Sequence, residues 1–379
     1  MMSKTTLLAA GLAAILAGQN TFADANKYGC DEKYRPELFK QFGEVVNVPD
    51  GLAQDKDGNI YCSAPNFKNQ NQAAVIMRRD VKTGVWAPFV SALRHPDSGT
   101  GFPMGLEFGN DGNLYYCDNQ YFVDKSYKSR IMRVTVKNGE AQKVEPVVEG
   151  VKLANAIRLR GNAIYFTDTF GDIEGRNEGY IYRVPLSAFS NGKVTRLLPK
   201  EQAESDPYCL GITKTIPFGK RNDGAGADGM CLDKNANIYT GNFGDGCFYM
   251  IPMQADGTYG KMVELVRDLS ISSCIDGICY YEKENWVIIS DSEKNVIRYW
   301  DINEQTMKVL WQNDDVDGSD GLLDQPCEVM VWRKKGCPLW FGSDKLIVVN
   351  FDWTFPGLKN AGGDETKNDK IYTISIIDL

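Results

Sequence analysis

The stretch GADGMCLDKNANIYTGNFGDG, residues 226–246, predicts two short β-strands joined by a tight turn. Apolar and polar residues alternate on both sides of "DKNAN", which has the composition of a turn. Asp228 stands directly in front of the first strand. The stretch is therefore typical of a β-hairpin that carries a carboxylate where its first strand begins.

This hairpin pattern recurs along the chain. Aligned on the residue in front of the first strand, the six copies begin at Asp50, Met104, Asn155, Asp228, Asp276 and Glu328. Consecutive copies are 54, 51, 73, 48 and 52 residues apart. Such a period, built from short strands, is typical of a β-propeller, and each repeat has room for two more strands. We therefore predict an all-β fold: a six-bladed β-propeller with four-stranded blades around a central channel, in which residues 26–379 form one domain.

Two segments depart from the regular period. The wide spacing between Asn155 and Asp228 predicts an insertion, most simply at residues 195–223. The segment that precedes Asp50 and the final strand-like run, KIYTISIIDL at 370–379, are left over once the repeats are assigned. We expect these two segments to share the closing blade.

The composition and the N-terminus bound the class of protein. The chain has 379 residues, 43% of them hydrophobic, and a net charge of -8, which argues against a broad nucleic-acid surface. An apolar run from Leu7 to Ala17 and the small-residue site Ala23-Asp24-Ala25 have the pattern of a secretory signal peptide. We predict that residues 1–25 are removed near Ala25 and that the protein is periplasmic or secreted. No other apolar run is long enough to predict a membrane span.

The chain contains ten cysteines, all of them after the predicted signal peptide. In an exported protein some of them could form disulfides. Cysteines within strands are equally typical of small buried apolar residues. The sequence leaves both interpretations open.

The propeller geometry predicts a ring of six residues at one end of the channel, because all inner strands begin at the same face. Asp50, Asp228, Asp276 and Glu328 would bring four carboxylates into this ring, with Asn155 beside them. Like charges in a partly dry channel are unfavourable unless they are protonated or neutralised. Ca²⁺ is the expected neutralising ion, and Zn²⁺, Mn²⁺ or Mg²⁺ are other divalent candidates. The alternative for each aspartate alone is an ordinary turn cap.

The second strand of each hairpin returns to the same face and predicts a shell of polar groups around the ring. We expect these strand ends to donate and accept hydrogen bonds with substrate hydroxyls: Asp118, Asp168, Asn242 and Asn350. Met104 in the ring and His95, the only histidine, are further candidates for substrate contacts. Nearby aromatic residues are expected to form the pocket wall: Phe67, Tyr121, Phe170, Phe243, Trp353 and Phe355.

With these motifs the chain resembles the senescence marker protein/gluconolactonase family (regucalcin-like proteins), six-bladed propellers that hydrolyse lactones with a central divalent metal. The segment ADGMCLDKNANIYTGNFGDG is similar to the family's Pro-Asp-Gly-Met blade. The resemblance implies that Asp228 binds the metal and acts as catalytic base, and that Asn155 and Glu328 are further metal ligands. Glu328 would then be shifted by one blade around the ring.

The chain also departs from the family pattern. Met104 stands where a second ligating Asn is frequent, and "ANAI" replaces the usual Asn-Gly or Asn-Asp step. Because Met is a poor ligand for a hard cation, either the site has fewer protein ligands or Asp50 and Asp276 compensate.

Together these observations predict an exported, metal-dependent hydrolase, a lactonase that acts on a sugar-derived or similar small lactone. The cation would polarise the carbonyl while Asp228 accepts the proton of the attacking water. The expected partner is a small-molecule substrate, and the sequence does not indicate an oligomeric state. Three alternatives stay open: a non-catalytic periplasmic binding module, a strictosidine-synthase-like relative and an organophosphate-hydrolysing relative.

Overall fold

The computed structural model describes residues 26–69, 72–171, 176–218, 224–314, 322–333, 343–352 and 371–379. The predicted signal peptide, residues 1–25, lies outside these residues. In the described part of the chain the helical segments are three short 3₁₀ helices, at Glu32–Tyr34, Leu186–Gly192 and Lys200–Ser205. No helix among these residues is long and apolar enough to cross a membrane.

The strands of the described chain form six sheets, one for each predicted repeat, and their pairings are antiparallel apart from that of one short inserted strand. Strand β1 (Glu37–Gln41) precedes the first blade. The first blade contains β2 (Leu52–Gln54), β3 (Ile60–Ala64), β4 (Val75–Arg79) and β5 (Trp86–Ser91), and the second contains β6 (Pro103–Phe108), β7 (Leu114–Asp118), β8 (Ser129–Lys137) and β9 (Glu140–Val151). The third contains β10 (Ala154–Arg160), β11 (Ala163–Asp168), β12 (Glu178–Pro185) and β14 (Cys209–Lys214). The short inserted strand β13 (Thr195–Arg196) lies between β12 and β14 in the chain. The fourth blade contains β15 (Ala227–Leu232), β16 (Ile238–Asn242), β17 (Phe248–Ile251) and β18 (Val263–Val266). The fifth contains β19 (Ile275–Tyr281), β20 (Trp286–Asp291), β21 (Val296–Asp301) and β22 (Thr306–Gln312). The sixth contains β23 (Pro326–Trp332), β24 (Lys345–Asn350) and β25 (Thr373–Asp378).

The inner strands close into a ring around the channel. They contact one another in the cyclic order β2, β6, β10, β15, β19 and β23, and β23 contacts β2 again. Six blades, each with four regular strands, confirm the predicted six-bladed β-propeller.

The hairpin turns lie at the opposite end of the inner strands and use their aspartates locally. In the turn between β15 and β16, Asp233 accepts hydrogen bonds from the backbone N–H groups of Asn235 and Asn237 at 2.8 and 2.9 Å. Ala236 in this turn has a φ of 68°, in the left-handed region. These short-range bonds explain why "DKNAN" closes a hairpin, since an Asp side chain can satisfy the backbone of its own turn.

The closing blade combines both ends of the described chain, as expected. Its strand order is β1-β25-β24-β23, and β1 pairs antiparallel with β25. The first strand of the chain is thus the outer strand of the last blade, and its hydrogen bonds hold the ring closed.

The insertion falls in the third blade, between β12 and β14. The predicted range 195–223 was too wide, because β14 lies inside it and is a regular strand of the blade. Its short strand β13 pairs in parallel with β9 of the second blade, as a fifth strand there. Lys200 in the following 3₁₀ helix reaches Asp168 at the end of β11, with Nζ 2.8 Å from the carboxylate and both side chains fully buried. The insertion therefore links two blades.

The described cysteines are mostly buried and no two of them are joined by a disulfide. Burial raises the thiol pKa of several of them, including Cys117 and Cys231. Among the described residues, the structure thus favours the interpretation of strand cysteines as small apolar residues.

Candidate functional site

A cavity of about 210 Å³ opens at the end of the channel where the inner strands begin. Five residues of the predicted ring line it: Asp50, Met104, Asn155, Asp228 and Asp276. We call this space the central cavity. The three aspartates line it together because each one stands at or just before the start of an inner strand.

Aromatic side chains form the wall of the central cavity. Four of the predicted wall residues are there, Phe67, Tyr121, Phe170 and Phe243, and Phe122 and Phe351 join them. Tyr121 and Phe170 stack with ring centroids 4.6 Å apart and planes 7° apart, so the loops after β7 and β11 lie side by side. Trp353 and Phe355, also predicted for the wall, lie outside the described residues.

Asp228 is held by residues of the preceding, third blade. The side-chain amide of Asn155 donates a hydrogen bond to Asp228 Oδ1. The hydroxyl of Thr167 donates to the backbone carbonyl of Asp228 at 2.6 Å. Asp228 is only 4% exposed, yet it lines the cavity. Its carboxylate is therefore oriented by an amide donor and faces the space that a ligand would occupy.

The other two acids of the cavity are electrostatically unfavourable as carboxylates. Burial, with a further contribution from the charge of Glu328, raises the pKa of Asp50 to about 8. Burial, together with the charges of Asp228 and Asp50, raises the pKa of Asp276 well above its usual range. The hydroxyl of Ser292 donates to Asp276 at 3.2 Å. The acids are thus close enough to repel one another.

Glu328 does not occupy the sixth ring position, contrary to the prediction from aligning the six hairpin copies of the chain. In the fourth blade Ala227 pairs with Asn242 at the end of the second strand, and the ring residue Asp228 directly follows Ala227. The equivalent pair in the closing blade is Pro326 with Asn350. The residue that follows Pro326 is Cys327, so the ring position belongs to Cys327. The close approach of the inner strands gives the same register, since a Cβ on Gly277 would lie 2.5 Å from the carbonyl oxygen of Cys327.

Glu328 instead pairs with an arginine inside the channel. Arg158 Nη2 lies 3.5 Å from Glu328 Oε1, and both side chains are largely buried. The same guanidinium donates to the backbone carbonyls of Ile157 and Ile278, both at 2.8 Å. Burial raises the pKa of nearby Glu107 to about 7, an effect that the charge of Arg158 opposes.

The predicted three-ligand metal site does not fit these positions. Ca²⁺ takes six to eight oxygen ligands, which must converge on one point. Asn155 and Asp228 meet in the cavity, and the two further candidates Asp50 and Asp276 also line it. Glu328, however, lies one residue further along its strand and faces Arg158. Across the described ranges, no three acidic, histidine or cysteine side chains are grouped so that they could hold an ion. We therefore derive no chemical step through a metal.

The strand-end acids serve the backbone, which corrects their predicted role in substrate binding. Asp118 accepts from the backbone N–H of Phe102 and from Arg130 Nε, both at 2.9 Å. Asp168 accepts from the backbone N–H groups of Lys152 and Leu153, in addition to its pair with Lys200. Both aspartates are fully buried and tie down the loop that leads into the inner strand of their own blade.

The strand-end asparagines have the same structural role. Asn242 donates to the carbonyl of Lys214 at 3.0 Å. Asn350 accepts from the backbone N–H of Asp324 at 3.1 Å and donates to Ser375 at 2.9 Å. Neither lines the central cavity.

His95 lies in a different depression, so it is not a contact of the central cavity. It shares that depression with Arg94, Lys128 and Arg196. Its Nδ1 accepts the backbone N–H of Asp97 at 3.1 Å. Burial, assisted by the charge of Arg130, lowers the pKa of His95. The ring nitrogen is thus used within its own loop.

Two polar residues that line the cavity were missed in the sequence. Asn119 and Thr169 each follow a strand-end aspartate and are almost completely buried. Asn119 Nδ2 and Thr169 Oγ1 have no hydrogen-bond partner among the described residues. The pattern of polar strand ends identified Asp118 and Asp168, one position before the residues that line the cavity. Consecutive side chains of a strand point to opposite sides, so the residue after each aspartate faces the cavity.

Comparisons with known proteins show the fold. No protein-family model matches the chain, and no curated protein sequence does so either. A luciferin-regenerating enzyme superposes with a TM-score of 0.59 at 11% identity, over 91% of this chain and 95% of that one. A calcium-binding regucalcin from Agrobacterium tumefaciens gives a TM-score of 0.57 at 11% identity, over 91% and 93% of the two chains. A gluconolactonase from Xanthomonas campestris gives 0.53 at 11% identity, over 92% and 96%.

The structural neighbours therefore include regucalcin-like and gluconolactonase-like propellers, which agrees with the resemblance stated from the motifs. At this level of identity the likeness concerns the fold, and the same fold can carry different chemistries.

Proposed function

We propose that this protein is a hydrolase that opens a small lactone or ester in the central cavity, with Asp228 as general base. The observation that carries the proposal is the Asp228 carboxylate, which is oriented by Asn155 and lines an aromatic-walled cavity. The fold shared with a protein named a gluconolactonase supports this reaction class. The expected export from the cell remains part of the proposal.

The proposed step needs only water and the substrate. Asp228 accepts a proton from a water molecule as the water oxygen attacks the carbonyl carbon. The tetrahedral intermediate then expels the ring alkoxide, the C–O ester bond breaks, and the alkoxide takes the proton back from Asp228. The products are a hydroxy acid from a lactone, or an acid and an alcohol from an ester.

Asn119 and Thr169 are placed to stabilise the charge that develops on the carbonyl oxygen. Asn119 Oδ1 accepts the backbone N–H of Tyr121 at 2.9 Å, which orients the amide and leaves its Nδ2 as donor. The Thr169 hydroxyl is the second candidate donor. Oriented donors of this kind stabilise an oxyanion without reorganising during the reaction.

The wall of the cavity favours a substrate with an apolar body. The residues that could bind sugar hydroxyls, such as Asp118 and Asp168, are engaged by backbone N–H groups and ion pairs. Stacked Tyr121 and Phe170 instead offer a flat apolar surface. We thus propose an aryl or alkyl lactone or ester in preference to a polyhydroxylated sugar lactone.

The test is hydrolysis of dihydrocoumarin, phenyl acetate and glucono-δ-lactone by the parent protein and by Asp228→Asn. Asn keeps the size of the side chain but cannot accept the proton, so turnover should fall by about 10²–10⁴-fold. Asp233→Asn is the matched control, because Asp233 caps the turn at the other end of the same hairpin.

Two results would contradict the proposal. Activity of Asp228→Asn within a few-fold of the parent would remove Asp228 from the chemistry. Saturable binding of these compounds without any turnover by the parent would instead make the protein a binding module.

A further inference from the structure

Arg158 reaches across the channel below the central cavity. It belongs to β10, the inner strand of the third blade, and lies three residues below the ring residue Asn155. Its guanidinium donates to Ile278 O in β19 of the fifth blade and approaches Glu328 in β23 of the sixth. In a ring of six blades the third and the sixth lie opposite each other, so this side chain bridges the channel.

The surroundings of Arg158 explain why a cation is needed there. Glu328 is only 6% exposed, and a buried carboxylate without a counter-charge is strongly unfavourable. Glu107 on β6 also feels the charge of Arg158, which favours its ionised form. Three inner strands thus direct charged side chains into the same section of the channel.

We propose that Arg158 is the resident cation of this channel, where it neutralises Glu328 in place of the divalent metal implied by the family resemblance. Cys327 takes the ring position, and Glu328 is thereby moved one residue deeper, within reach of the guanidinium. The inference concerns the channel below the cavity and does not depend on the proposed hydrolysis.

The first experiment measures metal content and thermal unfolding of the parent protein and of Glu328→Gln. We expect no stoichiometric metal in the purified parent by elemental analysis, also after dialysis against Ca²⁺. For each protein, the parent and Glu328→Gln alike, the midpoint of thermal unfolding in millimolar Ca²⁺ should equal the midpoint in chelator. A stoichiometric metal in the parent that is lost in Glu328→Gln would overturn the proposal.

The second experiment tests the ion pair itself with Arg158→Met. Loss of the guanidinium leaves Glu328 buried and unpaired, and we expect the midpoint to fall by about 5–15 °C. Arg158→Met combined with Glu328→Gln should recover much of this loss, because both charges are then absent. If Arg158→Met alone does not fold, recovery of folded protein in the double variant gives the same answer.

Arg160→Met is the matched control. Arg160 lies two residues further along β10 and also donates to backbone carbonyls, those of Asp233 and Lys234. In the described part of the chain no ion pair joins it to a carboxylate. Equal destabilisation by Arg158→Met and Arg160→Met, or no recovery in the double variant, would show that Arg158 does not neutralise Glu328.

Discussion

Asp168 and Thr169 are neighbours in the chain but have different environments. The Asp168 side chain accepts two backbone N–H groups and pairs with Lys200, whereas Thr169 lines the central cavity. Asp118 and Asn119 show the same division in the second blade. Alternation along a strand sends consecutive side chains to opposite sides, so the structural and the ligand-facing positions differ by one residue.

The proposed role of Thr169 predicts a selective loss of activity in Thr169→Val. Valine has nearly the same shape but cannot donate a hydrogen bond to the developing oxyanion. We expect kcat/KM for dihydrocoumarin to fall by about 10²-fold, the usual effect of losing one such donor. Stability should not decrease, because the deleted hydroxyl has no partner among the described residues.

Thr195→Val is the control for this prediction. The Thr195 hydroxyl is also buried and without a described partner, but Thr195 lies in β13, away from the cavity. Its activity should remain at the parent level. A similar loss in both variants would mean that buried hydroxyls act through the fold and not through the substrate.

At the level of elements, closure of the propeller depends on a single short strand. β1 is separated from its partner β25 by most of the chain, and their pairing contains a bulge between Leu38 and Lys40. Phe39 of β1 packs against Trp332 of β23 at 5.9 Å between ring centroids. Without β1, the edge of β25 would be exposed, and exposed edges promote association between molecules.

Deletion of residues 26–41 should therefore destabilise the whole ring. We expect the midpoint of thermal unfolding to fall by about 10 °C or more, since a complete strand with its packing is lost, and we expect aggregation on heating. Deletion of residues 26–30, which leaves β1 intact, is the control. Calorimetry and light scattering measure both effects, and equal midpoints for the two deletions would show that β1 does not hold the seam.

At the level of the whole molecule, the channel gathers acids from several blades. Asp50, Glu107 and Asp276 stand in or just before three different inner strands, and burial raises the pKa of each. Glu328 of a fourth inner strand is buried as well, but its pair with Arg158 opposes the rise of its pKa. Arg158 is the only basic side chain that the described contacts place among them. The folded state therefore holds protons that the unfolded chain would release.

This imbalance predicts that stability decreases as the pH rises. The pKa of Asp50 rises from 3.8 to about 8 on folding, and that of Glu107 from 4.5 to about 7. Between the unfolded-state and the folded-state pKa values the native state binds more protons than the unfolded state. The contribution of these acids to the free energy of unfolding is therefore complete below the unfolded-state pKa values, decreases as the pH rises, and is lost as the pH passes the folded-state pKa values of about 7 and about 8. Thermal unfolding should have a higher midpoint at pH 5 than at pH 8.5.

Asp50→Asn separates this contribution from others. The amide does not titrate, so the variant should lose less stability than the parent between pH 5 and pH 8.5. Asp57→Asn, at an exposed turn position of the same hairpin, should follow the parent. A midpoint that increases with pH, or an unchanged profile in Asp50→Asn, would contradict the role assigned to the channel acids.

The sequence by itself determined the repeat, the hairpins and the number of blades. These features depend on local chemistry: alternation of apolar residues makes the strands, and turns such as Asp233–Asn237 satisfy their own backbone. It also located five of the ring residues, because each stands at the start of an inner strand.

Only the tertiary structure decided which side chains meet. The pairing of Pro326 with Asn350 sets the register of the closing blade, and a shift of one residue there exchanges Glu328 for Cys327 in the ring. Arg158 and Glu328 are 170 residues apart, and no local pattern predicts their contact. The strand-end acids were misassigned for the same reason, since the orientation and partners of a side chain depend on how the strands pair in three dimensions.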